Sequence, residues 1–568
     1  MRRKGKQAVI GTIFVVIVIL IAIITMLVKK FTPSKEIMDL KDYYKVSGNE
    51  LTIILQNEVY EKKGMLLDGV AYVDYDTIVD KFNHRFYWDA NENLLIYTTP
   101  TEVIKTEVGS KEYYVNKSKN TTDYQIVKTE GNSVYIALDY IKLYSNIDYS
   151  IYQDPNRIVV NYKWGEKYLY SKVKKATQLR FEPSIKSDIL VKLKPDQVLT
   201  FVGTDEVMPK GFLKVMTTDG VIGYVKNKYL GESQYETLES DFKPAQYSHI
   251  SRDTTINMVW HQVTNQEANN NLLNALDSTK GVTTISPTWF AITNNEGEIS
   301  SLASELYVER AHNAGVEVWA LCNDFSEDVD MYQLLSYTSK REKLINELIA
   351  NAIKYNLDGL NIDFENISRD AGVHYIEFIR ELSVKCRNNG IILTVDNYVP
   401  TEYSAYYNRA EQGEVVDYVI TMAYDEHYSA SEESGSVASI GYVSDAIQNT
   451  LKEVPAERTI IAIPFYTRVW KEEMKDGKLV ISEDAYGMSE AENFLANYGV
   501  TPKWDKATGQ LFGQVKDGDA TYKVWLEEDA SIEEKMKLID ENKVAGVAGW
   551  KLGLEKESVW DIIIKYVN

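Results

Sequence analysis

The sequence predicts an α/β protein whose largest part is a (β/α)8 barrel, and three observations support this fold class. Eight apolar, strand-like runs alternate with amphipathic helical segments between residue 251 and the C-terminus. That region holds 318 residues, enough for a large eight-stranded barrel. Shorter strand patterns precede it, and a long apolar segment lies near the N-terminus. We therefore expect small β-rich domains and one transmembrane helix before the barrel.

The composition indicates a multidomain globular protein and excludes a nucleic-acid binder. The chain has 568 residues, of which 44% are hydrophobic and 26% charged, so it is too long for one ordinary domain and too apolar to be disordered. Residues 1–30 contain six Lys or Arg and no acid, which leaves 56 basic against 83 acidic residues after them. A net charge of −27 in that part would repel a phosphate backbone.

The two cysteines and six histidines favour neither a disulfide framework nor a metal site. Cys322 and Cys386 lie in apolar strand or helix patterns, so we expect buried free thiols, with one disulfide between them as the alternative. No HExxH or CxxC spacing occurs. We therefore expect neither a metal nor a cofactor.

An uncharged segment near the N-terminus is long enough to span a membrane. Residues 8–28 are 21 residues, mostly Val, Ile and Leu, which at about 1.5 Å per residue cover roughly the 30 Å of a bilayer core. Basic residues flank the segment and no small-x-small cleavage signal precedes Lys29. Residues 1–30 are predicted to be a cytoplasmic tip and an uncleaved signal-anchor, which leaves the later domains outside a single-pass membrane protein. A cleaved signal peptide is the alternative.

Two stretches of the N-terminal half are internal copies of each other. Residues 71–97 are repeated 63 positions later by residues 134–160, and each copy has a strand, a helical stretch and two strands around an Asn/Asp turn. Over residues 50–163 this pattern resembles the stalk-like N-terminal domain of copper amine oxidases. His84 is the one histidine there, so no copper chemistry follows. We expect an α+β spacer or adhesive module after a linker at residues 31–49.

A second set of short strands occupies residues 166–232. The segments AxxLRFEPSIKSDIL, FLKV and DGVIGYV resemble bacterial SH3-like domains, which are small β-barrels. Phe212 and Tyr224 stand where that family usually has Trp. The resemblance implies that this domain binds wall peptides, with a spacer role as the alternative. Residues 233–250 are a predicted linker into the barrel, which takes residues 251–568.

Eight apolar runs are the predicted barrel strands. The helical segments between them end near Asn-Leu-Asp-Gly or Asn-Gly, as helices commonly do. In such a barrel the active site lies at the C-terminal ends of the strands. The runs are residues 256–263, 281–290, 316–322, 357–365, 390–398, 417–424, 459–466 and 545–552.

The fourth run, DGLNIDFE at 358–365, carries the most informative polar residues. Because side chains alternate along a strand, Asn361, Asp363 and Glu365 share one face. Burying adjacent carboxylates is costly unless they share protons or serve chemistry, which favours an active site over a structural role. Proximity of like charges also raises one pKa, which suits a general acid. Asp358 falls on the opposite face and is predicted to be structural.

The same run is similar to the DxxDxDxE signature of family 18 glycoside hydrolases, the chitinase-like (β/α)8 enzymes. Over about 310 residues further segments resemble the family in the same order, most closely its spore-cortex and cell-wall N-acetylglucosaminidase branch. One position departs from the signature, because its middle acid is Asn361 here, and an amide cannot exchange a proton with Asp363. The further segments include SPTWF at 286–290, MAYDEHY at 422–428 and GWKLG at 549–553.

The resemblance implies substrate-assisted retaining catalysis, in which the 2-acetamido oxygen of the sugar attacks its own anomeric carbon. Glu365 would protonate the leaving oxygen and later activate water. Asp363 would orient the acetamido N–H, and Tyr424 would hold the acetamido oxygen. Structural roles in the core are the alternative for the aromatic candidates. The predicted substrate-binding residues are Asn361, Asp425, Trp550, Trp289 and Tyr466.

The implied substrate is a polymer that contains N-acetylglucosamine (GlcNAc). An enzyme anchored outside its own membrane meets peptidoglycan first, so we expect it to cleave β-1,4 bonds after GlcNAc in the cell wall. Action on chitin or on other GlcNAc glycans is one alternative. A non-catalytic surface lectin for chitin or peptidoglycan is another, and the presence of both Glu365 and Asp363 favours the enzyme over it.

Overall fold

The structure is a computed structural model that describes residues 2–203 and 211–567. Residues 204–210 of the predicted SH3-like domain, and the two terminal residues of the chain, lie outside the described part. The chain divides into two compact units, and each is described by itself. The first comprises Met1–Phe86, Thr106–Tyr113 and Lys119–Pro244, and the second Tyr87–Lys105, Tyr114–Ser118 and Ala245–Asn568.

The N-terminal helix α1 (Arg2–Phe31) meets the length and composition expected of a membrane span. Its 23-residue segment Val9–Phe31 is long and apolar enough to cross a membrane, and the side chains there are exposed. Lys29 and Lys30 occupy the last turn, where positive charge complements the helix dipole. The chain therefore carries one N-terminal apolar helix, as the sequence predicts.

The duplicated segment folds into matching sets of elements. Helix α2 (Leu40–Tyr44) precedes this segment, whose own elements are β1 (Glu50–Leu55), β2 (Glu58–Leu67), β3 (Val70–Asp74), α3 (Tyr75–Thr77), β4 (Phe86–Asp89), β5 (Leu94–Thr98), β6 (Val103–Glu107), β7 (Glu112–Val115), β8 (Ser118–Thr121), β9 (Val127–Glu130), β10 (Ser133–Ala137), α4 (Leu138–Lys142), β11 (Asp148–Tyr152) and β12 (Arg157–Asn161). One sheet has the order β11-β12-β1-β2-β3-β10-β9, and the other runs from β4 to β8. The equivalent strands β3 and β10 pair antiparallel, with Tyr72 opposite Ala137.

A seven-stranded antiparallel sheet follows. Its strands are β13 (Lys167–Lys172), β14 (Thr177–Arg180), β15 (Ile189–Leu193), β16 (Val198–Phe201), β17 (Phe212–Thr217), β18 (Ile222–Lys226) and β19 (Gln234–Thr237). Their order is β15-β14-β18-β17-β16-β13-β19, and Leu179, Val215 and Val225 lie in the buried core.

The predicted linkers, residues 31–49 and 233–250, contain helix α2 and strand β19. In residues 31–49, α2 buries Tyr44, whose hydroxyl donates a 2.9 Å hydrogen bond to the carbonyl of Gly220. In residues 233–250, β19 pairs with β13, and Gln234 lies opposite Tyr170. The apolar periodicity of the sequence did not indicate these elements, because an edge strand and a short helix bury few side chains.

The second unit contains the predicted barrel. Its strands are β20 (Ile256–His261), β21 (Thr284–Pro287), β22 (Phe290–Ile292), β23 (Ile299–Ser301), β24 (Glu317–Asn323), β25 (Gly359–Asp363), β26 (Ile392–Tyr398), β27 (Tyr418–Met422), β28 (Thr459–Pro464), β29 (Tyr466–Lys475), β30 (Lys478–Gly487), β31 (Lys503–Asp505), β32 (Gln510–Asp517), β33 (Ala520–Leu526) and β34 (Gly546–Trp550). Parallel pairing links β20, β21, β24, β25, β26, β27, β28 and β34 in that order, and β34 pairs back with β20. The closed eight-stranded barrel confirms the predicted fold class.

Helices cover the outside of the barrel. They are α5 (Leu272–Leu276), α6 (Glu305–Asn313), α7 (Met331–Leu335), α8 (Thr338–Lys354), α9 (Gly372–Asn389), α10 (Arg409–Val415), α11 (Ile440–Thr450), α13 (Asp529–Glu541) and α14 (Glu557–Ile563), while α12 (Met488–Asn497) lies in an insertion between β28 and α13. Helix α9, which follows β25, ends at Gly390 in the left-handed conformation (φ 68°), as the Asn-Gly signal predicts. Cys322 on β24 and Cys386 on α9 are both buried and free, as expected.

An insertion between β28 and α13 forms a small subdomain. Its antiparallel sheet has the order β30-β29-β33-β32-β31, and α12 packs on it through Leu495, which joins Val469, Val524 and Leu526 in a buried cluster. The first residues of β29 lie close to the barrel mouth, since Tyr466 and Arg468 both contact Asp425 there.

Candidate active site

A cavity of about 180 Å³ opens at the C-terminal ends of the barrel strands, where such barrels place their active sites. It combines acidic and aromatic side chains, the composition expected of a site for a polar sugar ring. The residues that line it are Trp260, Phe325, Asp363, Glu365, Asp396, Tyr398, Met422, Tyr424, Asp425 and Trp550.

Strand β25 supplies the two acids that the sequence placed at the site. Asp363 is its last residue and is buried, while Glu365 lies two positions further and is half-buried at the rim. The backbone N–H groups of Glu365 and Asn366 each donate a 2.9 Å hydrogen bond to the carboxylate of Asp324. Asp324 therefore fixes the chain where it leaves the strand, which holds Glu365 at the mouth of the cavity.

The surroundings of Glu365 favour its protonated form. Burial raises the pKa of its carboxyl, and the nearby charges of Asp324 and Asp425 raise it further. The Tyr398 hydroxyl donates a hydrogen bond to Glu365 Oε2, which acts in the opposite direction because it stabilises the charged form. A carboxyl with a raised pKa at the rim of a cavity is suited to donate a proton.

Asp363 lies deeper, beside a second acid. Strands β25 and β26 are parallel, and Ile362 pairs with Val395. The next residues along the two strands, Asp363 and Asp396, are therefore neighbours. Burial raises the pKa of Asp363 well above its ordinary value, and Asp396, Glu365 and Asp324 add to the effect in that order. The site therefore contains a closely spaced pair of buried carboxyl groups below Glu365.

Asn361 is fully enclosed and does not line the cavity, which corrects the expectation that it contacts substrate. Its Oδ1 accepts hydrogen bonds from Trp260 Nε1 (2.9 Å) and Ser286 Oγ (3.1 Å). Its Nδ2 donates to Thr394 Oγ1 (3.0 Å) and Asp396 Oδ1 (2.7 Å). All the polar atoms of this side chain are thus bonded within the protein, and its position is internal to the barrel.

Tyr424 and Asp425 follow β27 and both line the cavity. Burial is the main reason that the pKa of Tyr424 is raised well above its ordinary value, so its hydroxyl remains a hydrogen-bond donor. Asp425 Oδ1 accepts hydrogen bonds from Tyr466 Oη (2.7 Å) and Arg468 Nη2 (3.1 Å). Tyr466 is buried and does not line the cavity, so the structure places it behind Asp425 and not in a sugar subsite.

The aromatic wall consists of Trp550 and Trp260. Their rings meet edge to face with centroids 5.7 Å apart, and Trp550 is partly exposed and lines the cavity. Trp289 is elsewhere: it is 2% exposed, its Nε1 donates a 2.9 Å hydrogen bond to Asn269, and its ring packs against Tyr307. Its burial in the core corrects the expectation of a subsite role.

Sequence reasoning missed five residues that line the cavity. A signal for two of them was present, because Thr394, Asp396 and Tyr398 share one face of β26 by the same alternation that selected Asn361, Asp363 and Glu365 on β25. Of the others, Trp260 and Met422 lie in apolar strand patterns and Phe325 follows a strand, and no local pattern distinguishes them from core residues. The missed residues are Asp396, Tyr398, Trp260, Phe325 and Met422.

Two further acids of the barrel have structural contacts. Asp358 Oδ2 accepts hydrogen bonds from His312 Nε2 and the Val318 N–H, both at 2.8 Å, so it ties the start of β25 to its neighbours. Glu527 is fully buried and forms an ion pair of 2.9 Å with Lys535. Neither residue lines the cavity.

Comparison with known families gives two matches. The family model described as Glycosyl hydrolases family 18 matches residues 258–555. The model described as Copper amine oxidase N-terminal domain matches residues 53–161. The first match covers more than half of the chain and contains every residue that lines the cavity.

Individual relatives are bacterial. Over 291 residues, 49% of this chain and 82% of the relative, the sequence is 28% identical to the uncharacterised glycosylase YvbX of Bacillus subtilis. Over 255 residues, 43% of this chain and 57% of the relative, it is 28% identical to the cortical fragment-lytic enzyme of B. subtilis. The chain thus spans little more than half the length of the lytic enzyme.

A solved structure shows the same fold. The spore cortex-lytic enzyme SleL of Bacillus cereus superposes with a TM-score of 0.51 and 19% identity, and the superposition covers 58% of this chain and 79% of that one.

Proposed function

Since this chain belongs to family 18 of the glycosyl hydrolases, we propose that it cleaves β-1,4 bonds after GlcNAc in peptidoglycan from the outer face of a membrane. The chain is a glycosidase of the family and is related to cortical fragment-lytic enzymes. The proposal adds the substrate, the anchoring and the roles of individual residues.

In the proposed mechanism the sugar supplies its own nucleophile, the 2-acetamido oxygen. Glu365 protonates the leaving oxygen and then takes a proton from the attacking water. Asp363 accepts the acetamido N–H and supports the positive charge of the cyclic intermediate, while Tyr424 donates its hydroxyl to the acetamido oxygen. Trp550 stacks under the sugar ring, and Asp425 binds its hydroxyl groups. Asp363, Glu365 and Tyr424 carry the catalytic roles.

One observation carries this proposal: Glu365, Asp363, Tyr424 and Trp550 line the same cavity at the mouth of the barrel. The carboxyl groups differ in depth, with Asp363 buried and Glu365 half-buried at the rim. That difference supports separate roles, since a rim carboxyl with a raised pKa can reach a leaving group, while a buried one can orient a substrate amide.

Digestion of purified peptidoglycan by the full-length protein in detergent tests the substrate. We expect new GlcNAc reducing ends among the released muropeptides. Glu365→Gln should lower turnover by about 1000-fold or more, because the amide cannot donate a proton. The matched control is Asp370→Asn, an exposed acid five positions downstream, which should keep wild-type activity. Cleavage of chitin oligomers without any new GlcNAc ends from peptidoglycan would favour a chitinase or another GlcNAc-glycan hydrolase.

The membrane topology is part of the proposal. Helix α1 supports a signal-anchor, and the basic residues before it favour a cytoplasmic N-terminus. In this topology residues 50–163 and 166–232 lie outside the membrane, on the same side as the barrel. We expect the full-length protein in washed membranes, with its large part cut by external protease. Release of a shortened protein into the medium would indicate a cleaved signal peptide instead.

A wall-binding role of residues 166–232 is a further part of the proposal. The SH3-like pattern of this segment supports contact with wall peptides. Deleting residues 166–232 should weaken sedimentation of the protein with purified cell walls while leaving cleavage of soluble GlcNAc oligomers unchanged. Unchanged sedimentation would leave the segment as a spacer.

A further inference from the structure

Asp396 is a buried acid for which the proposed mechanism so far has no use. It is 2% exposed, lines the cavity, and lies on β26 beside Asp363 on β25. Both side chains point to the same face, because the register pairs Asn361 with Thr394 two positions earlier on each strand. The two carboxyl groups are therefore neighbours across adjacent strands.

Each of these acids has a buried oxygen without a hydrogen-bond partner. Within residues 2–203 and 211–567, Asp363 Oδ1 and Asp396 Oδ2 are buried and accept no hydrogen bond. Two ionised carboxylates cannot bond to each other, since neither has a donor. If the pair holds a single proton, one carboxyl donates to the other and the unpartnered oxygens can both be satisfied, as in other dyads of adjacent acids.

The hydrogen bonds of Asn361 leave Asp396 available for this purpose. Asn361 Nδ2 donates to Asp396 Oδ1 at 2.7 Å, so one oxygen of Asp396 is fixed while Oδ2 stays unbonded. Asn361 itself cannot store a proton, because its amide does not titrate. In this chain the acid that can exchange a proton with Asp363 lies on the neighbouring strand.

We propose that Asp396 is a positioning residue that holds the proton of Asp363 while Asp363 binds the substrate amide. This rests on the proposed function. When the acetamido N–H arrives, the O–H bond of Asp363 breaks and an O–H bond forms on Asp396. When the product leaves, the proton returns. The proton stays within the pair, so the step needs no base from solvent and no other reactant.

The groups around the pair favour retention of its proton. Burial raises the pKa of Asp396 well above its ordinary value, the Asn361 amide lowers it, and Glu365 raises it. Cys322 and Asp324 face Asp363 from β24 and its end. The titratable groups that face the pair from the other elements are Tyr375 on α9, Tyr398 at the end of β26 and Tyr424 after β27.

The pH profile of kcat/KM for Asp396→Asn tests the proposal. A coupled pair loses its first proton at lower pH than either acid would alone. Without Asp396, Asp363 must release its proton to solvent before it can bind the amide. The acidic limb should therefore move to higher pH by about one unit, with kcat lowered about tenfold at acidic pH and KM within about twofold. If Asp396 had only a structural role, its replacement would not move the acidic limb of the profile.

Two matched variants distinguish the loss of the second acid from a change in the hydrogen bonds around it. Exchanging the two residues in Asn361→Asp with Asp396→Asn restores an acid beside Asp363 and should return the acidic limb to its wild-type position. Thr394→Val removes the other acceptor of the Asn361 amide and should leave the limb where it is. An unmoved limb in Asp396→Asn, or equal shifts in Asp396→Asn and Thr394→Val, would overturn the proposal.

A second measurement is independent of activity. A buried pair that keeps its proton above the usual carboxyl range loses stability as pH rises, because the folded state then binds more protons than the unfolded chain. As the pH rises above the usual carboxyl range, the Tm of the wild type should therefore fall more steeply than that of Asp396→Asn. Parallel Tm curves would refute the shared proton. A wild type inactive on every GlcNAc polymer would instead refute the proposed function.

Discussion

The indole Nε1 of Trp260 donates a 2.9 Å hydrogen bond to Oδ1 of Asn361. An indole N–H can only donate, so this contact fixes which end of the amide is oxygen. The amide nitrogen must then point to Thr394 and Asp396, both of which accept from it. The asparagine in an otherwise acidic signature is thereby explained, since this position has to donate as well as accept.

Asn361→Asp should destabilise the barrel. The new carboxylate keeps the hydrogen bonds from Trp260 and Ser286 but turns an acceptor toward Asp396, where Asn361 Nδ2 had donated at 2.7 Å. We expect a loss of about 1–3 kcal/mol, measured as a lower urea midpoint of unfolding. Adding Asp396→Asn restores a donor and should recover most of the loss. Equal stability of Asn361→Asp and the wild type would contradict this account of the amide.

Tyr398→Phe should change the pH dependence of activity. The Tyr398 hydroxyl donates to Glu365 Oε2 and lowers the pKa of that carboxyl. Without it the pKa of Glu365 rises, so the proton-donating form persists to higher pH. We expect the alkaline limb of kcat/KM to move upward by up to about one pH unit. Tyr403→Phe is the control, because Tyr403 is 86% exposed. A downward shift would exclude Glu365 as the acid of that limb.

Trp550 and Trp289 should respond differently to substitution. Trp550→Ala removes the aromatic surface that lines the cavity, and we expect KM for GlcNAc oligomers to rise about tenfold. Trp289→Phe removes the donor to Asn269 in the core and should lower Tm while KM stays within about twofold. Steady-state kinetics and thermal unfolding of both variants check this. A comparable rise of KM in Trp289→Phe would indicate instead that Trp289 contacts the substrate.

Removing one partner of the Glu527–Lys535 ion pair should lower the stability of the protein, because the other charge is then buried without a partner. Both side chains are at most 1% exposed. Glu527→Ala therefore leaves the ammonium group of Lys535 buried without its partner and should lower the free energy of unfolding by about 3–5 kcal/mol. Replacing both residues by Leu and Met should cost much less. Tryptophan fluorescence during urea unfolding reports on the barrel, since eight of the ten tryptophans follow residue 250. Equal losses in the single and double variants would argue against this account.

Alternation along single strands accounts for most of what could be predicted at the site. It selected Asp363 and Glu365 because the pattern is local and needs only the strand itself. Asp396 could have been chosen by the same rule, but its significance depends on Asp363 being its neighbour. Trp289 is a residue that the sequence placed at the site and the structure places in the core. An aromatic residue near a strand end gives the same sequence pattern whether it faces the lumen of the barrel or the core around it.

The sequence by itself determined the eight strands, the apolar N-terminal helix, the duplication and the acids of the fourth barrel strand, because periodicity and spacing are properties of contiguous residues. Only the tertiary structure decided which side chains line the cavity, since barrel closure through β21 and β24 sets the position of each strand end. The register between β25 and β26 likewise decided that Asp396 stands beside Asp363. Register is a relation between strands more than 30 residues apart, and no local pattern encodes it.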